Sequence, residues 1–347
     1  MSEPSDREAP PARRYAAAGV DLEASDETMR RIGAAVRSTY TPHVLAGIGA
    51  FGGLFAVPDD VSEPVLVAST DGVGTKTMLA TALGRLDTIG RDIVNHCVND
   101  ILVQGARPLF FLDYVASSRL EPADVAAVVQ GVAAACREAG MALLGGETAE
   151  MPGVYAQGEL DLVGTIVGVV SRSRIVTGSE VRAGDVLLGL ASGGLQTNGF
   201  SLARQVLAGR LGAPMHPGGR LGETIGDALM APHRSFLPAL TPLLEAGLVR
   251  AAAHVTGGGI PGNLPRVLPS GLGAEVDTGA WERPPVFDLL QRVGEIDEGE
   301  MRSVFNLGVG MIVVVRPSDE AAARAACPEA MWTIGRVVEG QGVRFSG

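Results

Sequence analysis

Apolar positions recur along this chain with two periods. Short Val/Ile/Leu-rich runs read as strands. They alternate with stretches whose apolar residues return every three to four positions and read as helices. Strands are predicted over 51–57, 64–70, 107–116, 141–144 and 160–171 in the first half, and over 185–191, 251–256, 272–277, 309–315 and 331–338 in the second. Helices are predicted over 26–40, 87–105, 121–139, 198–209, 233–246, 286–293 and 318–327. This is a mixed α/β or α+β chain, with no fixed-period repeat. Runs such as "PLFFL" and "LVGTIVGVV" put apolar residues at successive positions, as strands covered on both faces do.

A chain of 347 residues exceeds what one core usually serves, so two domains are expected. The polar stretch "SRSRIVTGSEVRAGD", 171–185, separates a long apolar strand from the next one, "VLLGLA". We therefore expect a polar, Pro-rich tail over 1–14, one domain over 15–173 and another over 174–347. Hydrophobic residues make up 46% and aromatics only 4%, so the core is aliphatic. The net charge of −11 gives no general attraction to nucleic acid or to anionic membranes. A phosphorylated ligand needs a local basic or amide-rich pocket instead. No apolar run is long enough to span a bilayer, and "MSEPSDREAPPARR" lacks the apolar segment of a leader. The three cysteines form no CxxC pair, which suits a reducing cytoplasm. The five histidines lack the local spacing of a zinc motif.

Three stretches in the first half concentrate chemistry. "STDGVGTK", 69–76, departs from G-x-x-x-x-G-K-[ST], because Ser69 replaces the first glycine and Thr75 separates Gly74 from Lys76. A strand still leads in and the helix "TMLATALG" leads out. It is either a plain turn or a loop in which Gly72 and Gly74 expose amides, Lys76 supplies a charge and Asp71 holds a metal. On "DTIGRDIVNHCVNDILVQGA", 87–106, Asp92, Asn95, His96, Asn99 and Asp100 share one helix face, opposite Val94, Cys97, Val98 and Ile101. Asn and Asp are poor helix formers, and such conflict with local propensity marks either a site or a buried hydrogen-bond network. "LLGGETAEMPG", 143–153, runs from a short strand into Gly145, Gly146 and a further carboxylate, Glu147, as a tight turn or a ligand loop. Asp113 in "LFFLDY" is a charge inside an apolar strand and calls for a polar partner.

The second half offers two glycine-rich strand-to-helix turns, "SGGLQTNGFSL" (192–202) and "HVTGGGIPGNL" (254–264). Either could present amides and a helix N-terminus to an anion, or serve only as a turn.

Taken together, "YAAAGVD", "STDGVGTK", "VNDILVQGARPLFFLDY", "GGETAEMPG", "TNGFSL", "HVTGGG" and "FNLGVGM" closely resemble the aminoimidazole ribonucleotide synthetase family, over roughly residues 13 to 340. The resemblance implies a two-domain subunit in a homodimer, with N-terminal domains forming a β-barrel across the interface and ATP between domains. It implies ATP- and Mg²⁺-dependent closure of the imidazole ring of formylglycinamidine ribonucleotide, through an O-phosphorylated amide, in cytoplasmic purine biosynthesis. Carried over by motif, Asp71, Asp100 and Glu147 match the acidic positions near Mg-ATP, and Gly72, Gly74, Thr75, Lys76, Asn99, Gly145 and Gly146 the nucleotide side. Asp71, Lys76, Asp100 and His254 are the catalytic candidates, and Asn198, Thr256, Gly257, Gly258 and Gly259 the substrate side. Three departures stand out. Gln196 occupies a position that is often histidine in the family, Ala16 one that is often lysine, and Leu307 one that is often cysteine. No acid–base role passes to Gln196 and no reactive thiol to Leu307.

Overall fold

The computed structural model describes residues 22–215 and 224–347. The expected N-terminal tail, Ala16 and His216 lie outside the described residues.

The first half is built around one four-stranded sheet. Its elements in chain order are α1 (Leu22–Arg37), β1 (Val44–Ala46), β2 (Leu54–Phe55), β3 (Pro64–Gly72), α2 (Lys76–Leu83), α3 (Leu86–Leu102), β4 (Arg107–Ser117), α4 (Pro122–Glu138), β5 (Ala142–Glu150) and β6 (Leu160–Ser171). The strand order is β3-β6-β4-β5, with only the β4–β5 pair parallel. Helices α3 and α4 cover one face. They cross closely because Gly90 and Gly131 face each other's backbone: a Cβ on Gly90 would lie 2.1 Å from Val128 O, and one on Gly131 2.0 Å from Asp87 O. The other face carries Ala68, Val167, Phe110, Thr165, Leu112, Val163 and Tyr114, which stand opposite one another across the ladders. These residues keep partial or full solvent contact.

The second half contains β7 (Val186–Ala191), α5 (Phe200–Val206), α6 (Ile225–Leu229), α7 (Leu237–Glu245), β8 (Ala251–His254), α8 (Gly259–Asn263), β9 (Leu272–Asp277), α9 (Pro285–Gly294), α10 (Glu298–Val304), β10 (Val309–Val315), α11 (Glu320–Ala326), β11 (Trp332–Glu339) and β12 (Val343–Ser346). Its six-stranded sheet has the order β12-β9-β11-β7-β10-β8. All seven residues of β10 are buried. Met311, Val313 and Val315 enter one apolar cluster, and Val309, Ile312 and Val314 the cluster on the opposite face. A third cluster joins the halves, running from the α3–α4 core to Leu195, Phe200, Phe287 and Phe305.

The mixed α/β reading of the sequence agrees with this architecture, and three local readings change. The strand expected over 51–57 shrinks to Leu54–Phe55, paired with β1 in a small hairpin. "LLGGETAEMPG" is not a turn, since β5 continues through Gly145, Gly146 and Glu147 to Glu150. Helix α10 and the terminal strand β12 carry no strong periodic signal and are additional.

Candidate active site

Helix α3 and strand β8 meet at the junction of the two halves. The core face of α3 is apolar and fully buried at Ile89, Ile93, Cys97 and Ile101, which turns Asp92, Asn95, His96, Asn99 and Asp100 toward the second half. Strand β8 is the edge of its sheet, with the buried sequence "AAAH" and His254 as its last residue. Between them lies a cleft of about 650 Å³, whose lining includes Ser69, Asp71, His96, Asp100, His254 and Thr256.

Three of the five histidines converge here from segments far apart in sequence. Their ring centroids lie 5.0–5.2 Å from one another. His96 Nε2 is 2.9 Å from Asp71 Oδ2 and its Nδ1 is 2.6 Å from Thr197 Oγ1. Thr197 Oγ1 is 3.1 Å from His233 Nδ1. His233 Nε2 is 3.1 Å from His254 Nε2, and His254 Nδ1 is 2.9 Å from Asp100 Oδ1. Ser69 donates to Asp100 Oδ2 at 3.1 Å, and the Gly72 amide to Asp71 Oδ1 at 2.6 Å. A continuous run of polar contacts thus links the two carboxylates.

Electrostatics follow from this arrangement. Burial raises the carboxyl pKa of Asp71 and of Asp100, but the histidine contacts outweigh it and both fall below the usual carboxylate range. Burial opposes charge on His96, yet the Asp71 bond and the charges of Asp100 and Asp71 carry its pKa upward. His254 ends below its ordinary value because burial, reinforced by His96, exceeds the pull of Asp100. His233 falls well below, through burial and the nearby His96, His254 and Lys76.

Several expected site residues face elsewhere. Lys76 is enclosed, with Nζ 2.7 Å from Asp92 Oδ2 and donating to Gln196 O at 3.1 Å and Ala231 O at 2.9 Å. Burial pushes both members of that pair toward their neutral forms. Asn99 is also spent within the protein. Its Nδ2 donates to Arg234 O at 2.8 Å and its Oδ1 accepts from the Phe236 amide at 2.9 Å. Lys76 at the start of α2 and Asn99 on α3 therefore join the halves instead of lining the cleft. Asp71 lies on β3, while Gly145, Gly146 and Glu147 lie on β5 at the far edge of the sheet. Three strand spacings, roughly 14 Å, separate them. Asp71 shares a row with Gly164, Asp113 and Gly146, whereas Glu147 stands opposite Tyr114 in the next row and so on the other face. Asp113 points at the helix layer beside Gly146, outside the cleft. Burial pushes its carboxyl up to about 7, against its own backbone amide.

Other candidates do sit together. Thr75 Oγ1 is 3.1 Å from Ser201 Oγ, tying the "STDGVGTK" loop to α5. Gly74 has φ 67°, Gly258 φ 95° and Gly259 φ 59°, values that favour glycine. The "TGGG" turn is folded around Asn263, whose Nδ2 reaches Thr256 O, Gly257 O and Gly259 O at 3.4, 3.2 and 2.9 Å. Asn198 Oδ1 lies next to Gly257. Sequence reasoning missed His233, Thr197 and Arg266, the last a cation on the cleft wall. His96 could have been paired with Asp100 from their four-residue spacing. The helix predicted over 233–246 begins only at Leu237, so His233 lies in the irregular chain before α7, off any helix face.

Residues 55–170 match the family described as AIR synthase related protein, N-terminal domain, and residues 182–347 match its C-terminal domain. A phosphoribosylformylglycinamidine cyclo-ligase from Sorangium cellulosum is 52% identical over 95% of this chain and 97% of its own length. The chain belongs to the AIR synthase family. A cyclo-ligase of the same description from Desulfitobacterium hafniense is 50% identical over 88% of this chain and 90% of that protein. Among solved structures, the thiamine-monophosphate kinase of Stenotrophomonas maltophilia superposes with a TM-score of 0.65 at 21% identity, covering 92% of this chain and 96% of that one. Hydrogenase maturation protein HypE in complex with ATP gives 0.63 at 18% identity, covering 98% and 92%. These two likenesses concern the fold alone. No helix among the described residues is long and apolar enough to cross a membrane.

Proposed function

We propose that this chain closes the imidazole ring of formylglycinamidine ribonucleotide at the expense of ATP, in the cytoplasm, yielding aminoimidazole ribonucleotide, ADP and phosphate. The observation that carries the reading is the near-full-length identity of 52% to a curated cyclo-ligase. The chemistry is consistent with the cleft. An amide oxygen leaves poorly. Transfer of the γ-phosphoryl group to it creates a phosphate leaving group, and an amidine nitrogen then bonds to the formyl carbon as phosphate departs. Such a reaction asks the protein mainly for positioning and charge compensation.

We assign the nucleotide to the Asp71 end of the cleft, with Gly72, Gly74 and Thr75 beside it, and the substrate to the Asn198, Thr256 and Gly257–Gly259 end, where Arg266 supplies a cation. Asp71 and Asp100 suit a hard cation that shares its shell with phosphates and water, so these two would hold Mg²⁺, which when bound offsets phosphate charge. Lys76 and Asn99 support the site from behind by fixing the Gln196–Gly199 turn and α7. Glu147 is assigned to the nucleotide from a second copy, since no path within one chain brings it to Asp71.

The test is phosphate release with ATP, with and without formylglycinamidine ribonucleotide, together with detection of the cyclised product. Asp100→Asn is expected to abolish turnover at saturating Mg²⁺ and ATP while circular dichroism remains that of the parent fold. Accumulation of a phosphorylated, uncyclised substrate by the parent enzyme would make it a kinase and overturn the reading.

A further inference from the structure

The polar face of α3 has one common target, and that target lies behind the cleft. Asp92 Oδ1 accepts from the His233 amide at 2.6 Å, and Asn95 Nδ2 donates to the His233 carbonyl at 2.7 Å. Asn99 Nδ2 lies 3.2 Å from His233 Nε2. The other two residues of the face reach the same ring through one intermediary each. His96 does so through Thr197, which contacts His233 Nδ1, and Asp100 through His254, which contacts His233 Nε2. Asp92, Asn95, His96, Asn99 and Asp100 thus converge on one residue. This accounts for a helix face built of poor helix formers. His233 is fully buried and does not line the cleft, so it acts through its neighbours.

We propose that His233 is a positioning residue for the ring closure proposed above, on which this inference rests. Its ring sets the substrate-side loops of the second half against the carboxylates of the first. Thr197 adjoins Asn198, and His254 stands two residues before Thr256. Both of these loops are gripped by the two nitrogens of His233. His254 has both its own nitrogens engaged, Nδ1 with Asp100 and Nε2 with His233, so it passes position from one half to the other. Phosphoryl transfer between two ligands held on different halves needs close alignment, and a misplacement of about 1 Å costs on the order of a hundredfold in rate. The main chain at 233 is anchored by Asp92 and Asn95 whatever side chain it bears. Substitution there therefore removes the ring contacts while the segment stays tied to α3.

The test compares His233→Leu, His233→Gln and His233→Asn in the full chain, by phosphate release with ATP and formylglycinamidine ribonucleotide and by melting. Glutamine carries its amide nitrogen about where Nε2 lies, and asparagine about where Nδ1 lies. His233→Leu is expected to lower kcat about ten- to a hundredfold, with both KM values within about threefold of the parent. His233→Gln, which keeps a polar atom against His254, should recover most of that loss, and His233→Asn should recover less. The proposal is overturned if folded His233→Leu keeps the parental kcat, or if KM rises while kcat holds. It is also overturned if kcat across the three variants simply follows their melting temperatures, which would make the ring a stabilising core contact. Phosphate release without cyclised product by the parent would defeat the proposed function, and the same series would still decide the role of His233. Ring closure at the parental rate by His233→Leu would leave the proposed function and remove this one.

Discussion

A lysine with no water around it is a different chemical object from a lysine facing a phosphate. In "STDGVGTK" the spacing of Lys76 after two glycines invites the phosphate reading, and in the fold its ammonium is surrounded by Asp92 Oδ2 and two carbonyl oxygens. Removing one partner of a buried pair leaves the other charge uncompensated, at a cost of about 3–5 kcal/mol. Lys76→Met should therefore lower the unfolding free energy by about that amount in urea titrations. Adding Asp92→Leu should recover only part of it, because Asp92 Oδ1 also accepts from the His233 amide at 2.6 Å. A Lys76→Met protein of parental stability with a raised KM for ATP would return the lysine to the nucleotide. The legibility of the site divides along the same line. Asp71, Asp100 and His254 could be picked out from residue type and motif, and all three line the cleft. What sequence could not separate is whether a polar residue faces water or a neighbouring segment. Lys76 and Asn99 bond to residues more than a hundred positions away, and no local pattern encodes that partner.

At the scale of elements, long periodic segments were readable and short ones were not. The pattern over 87–105 anticipates α3 to within three residues at its end, because alternate faces of a 17-residue helix meet different surroundings. The strand expected over 141–144 ends before β5 does, because Gly145, Gly146 and Glu147 disfavour strand. Pairing with β4 along its length overrides that preference. Gly90 shows the converse case, a helix-breaking residue kept inside a helix. Alanine there would gain about 1 kcal/mol of intrinsic helix propensity. It would also drive a methyl group to 2.1 Å from Val128 O, a backbone atom that cannot rotate away. Overpacking of this kind typically costs about 1–3 kcal/mol, and part of that survives the propensity gain. Gly90→Ala should therefore melt below the parent by calorimetry. A higher melting temperature would mean that α3 and α4 can separate freely.

For the whole molecule, the four-stranded sheet is incomplete in two ways. Its edge strands β3 and β5 have no further partner among the described residues, and exposed edges invite pairing with another chain. Its outer face is apolar and open: Leu66 is 58% exposed, and Phe110, Leu112, Val163 and Val167 are only partly covered. The hairpin of β1 and β2 reaches that face through Phe55, whose ring centroid is 5.2 Å from that of Phe110, and leaves Leu45 and Leu54 exposed. Two such sheets set edge to edge make eight strands, the number whose closed interior side chains just fill. This accounts for why "PLFFL" and "LVGTIVGVV" carry apolar residues at successive positions although one copy covers only one face. We therefore propose a homodimer with a barrel shared between N-terminal halves. A stable interface of this kind buries at least about 1,000 Å², so solution scattering at micromolar concentration should report twice the mass of the 347-residue chain. Leu112→Arg would place a charge at the centre of the closed barrel. It should yield monomers that lose ring closure, while the distant α3–β8 cleft of each chain still binds divalent metal. A parent protein that is monomeric and fully active at that concentration would remove the barrel, and with it the assignment of Glu147 to a neighbouring copy.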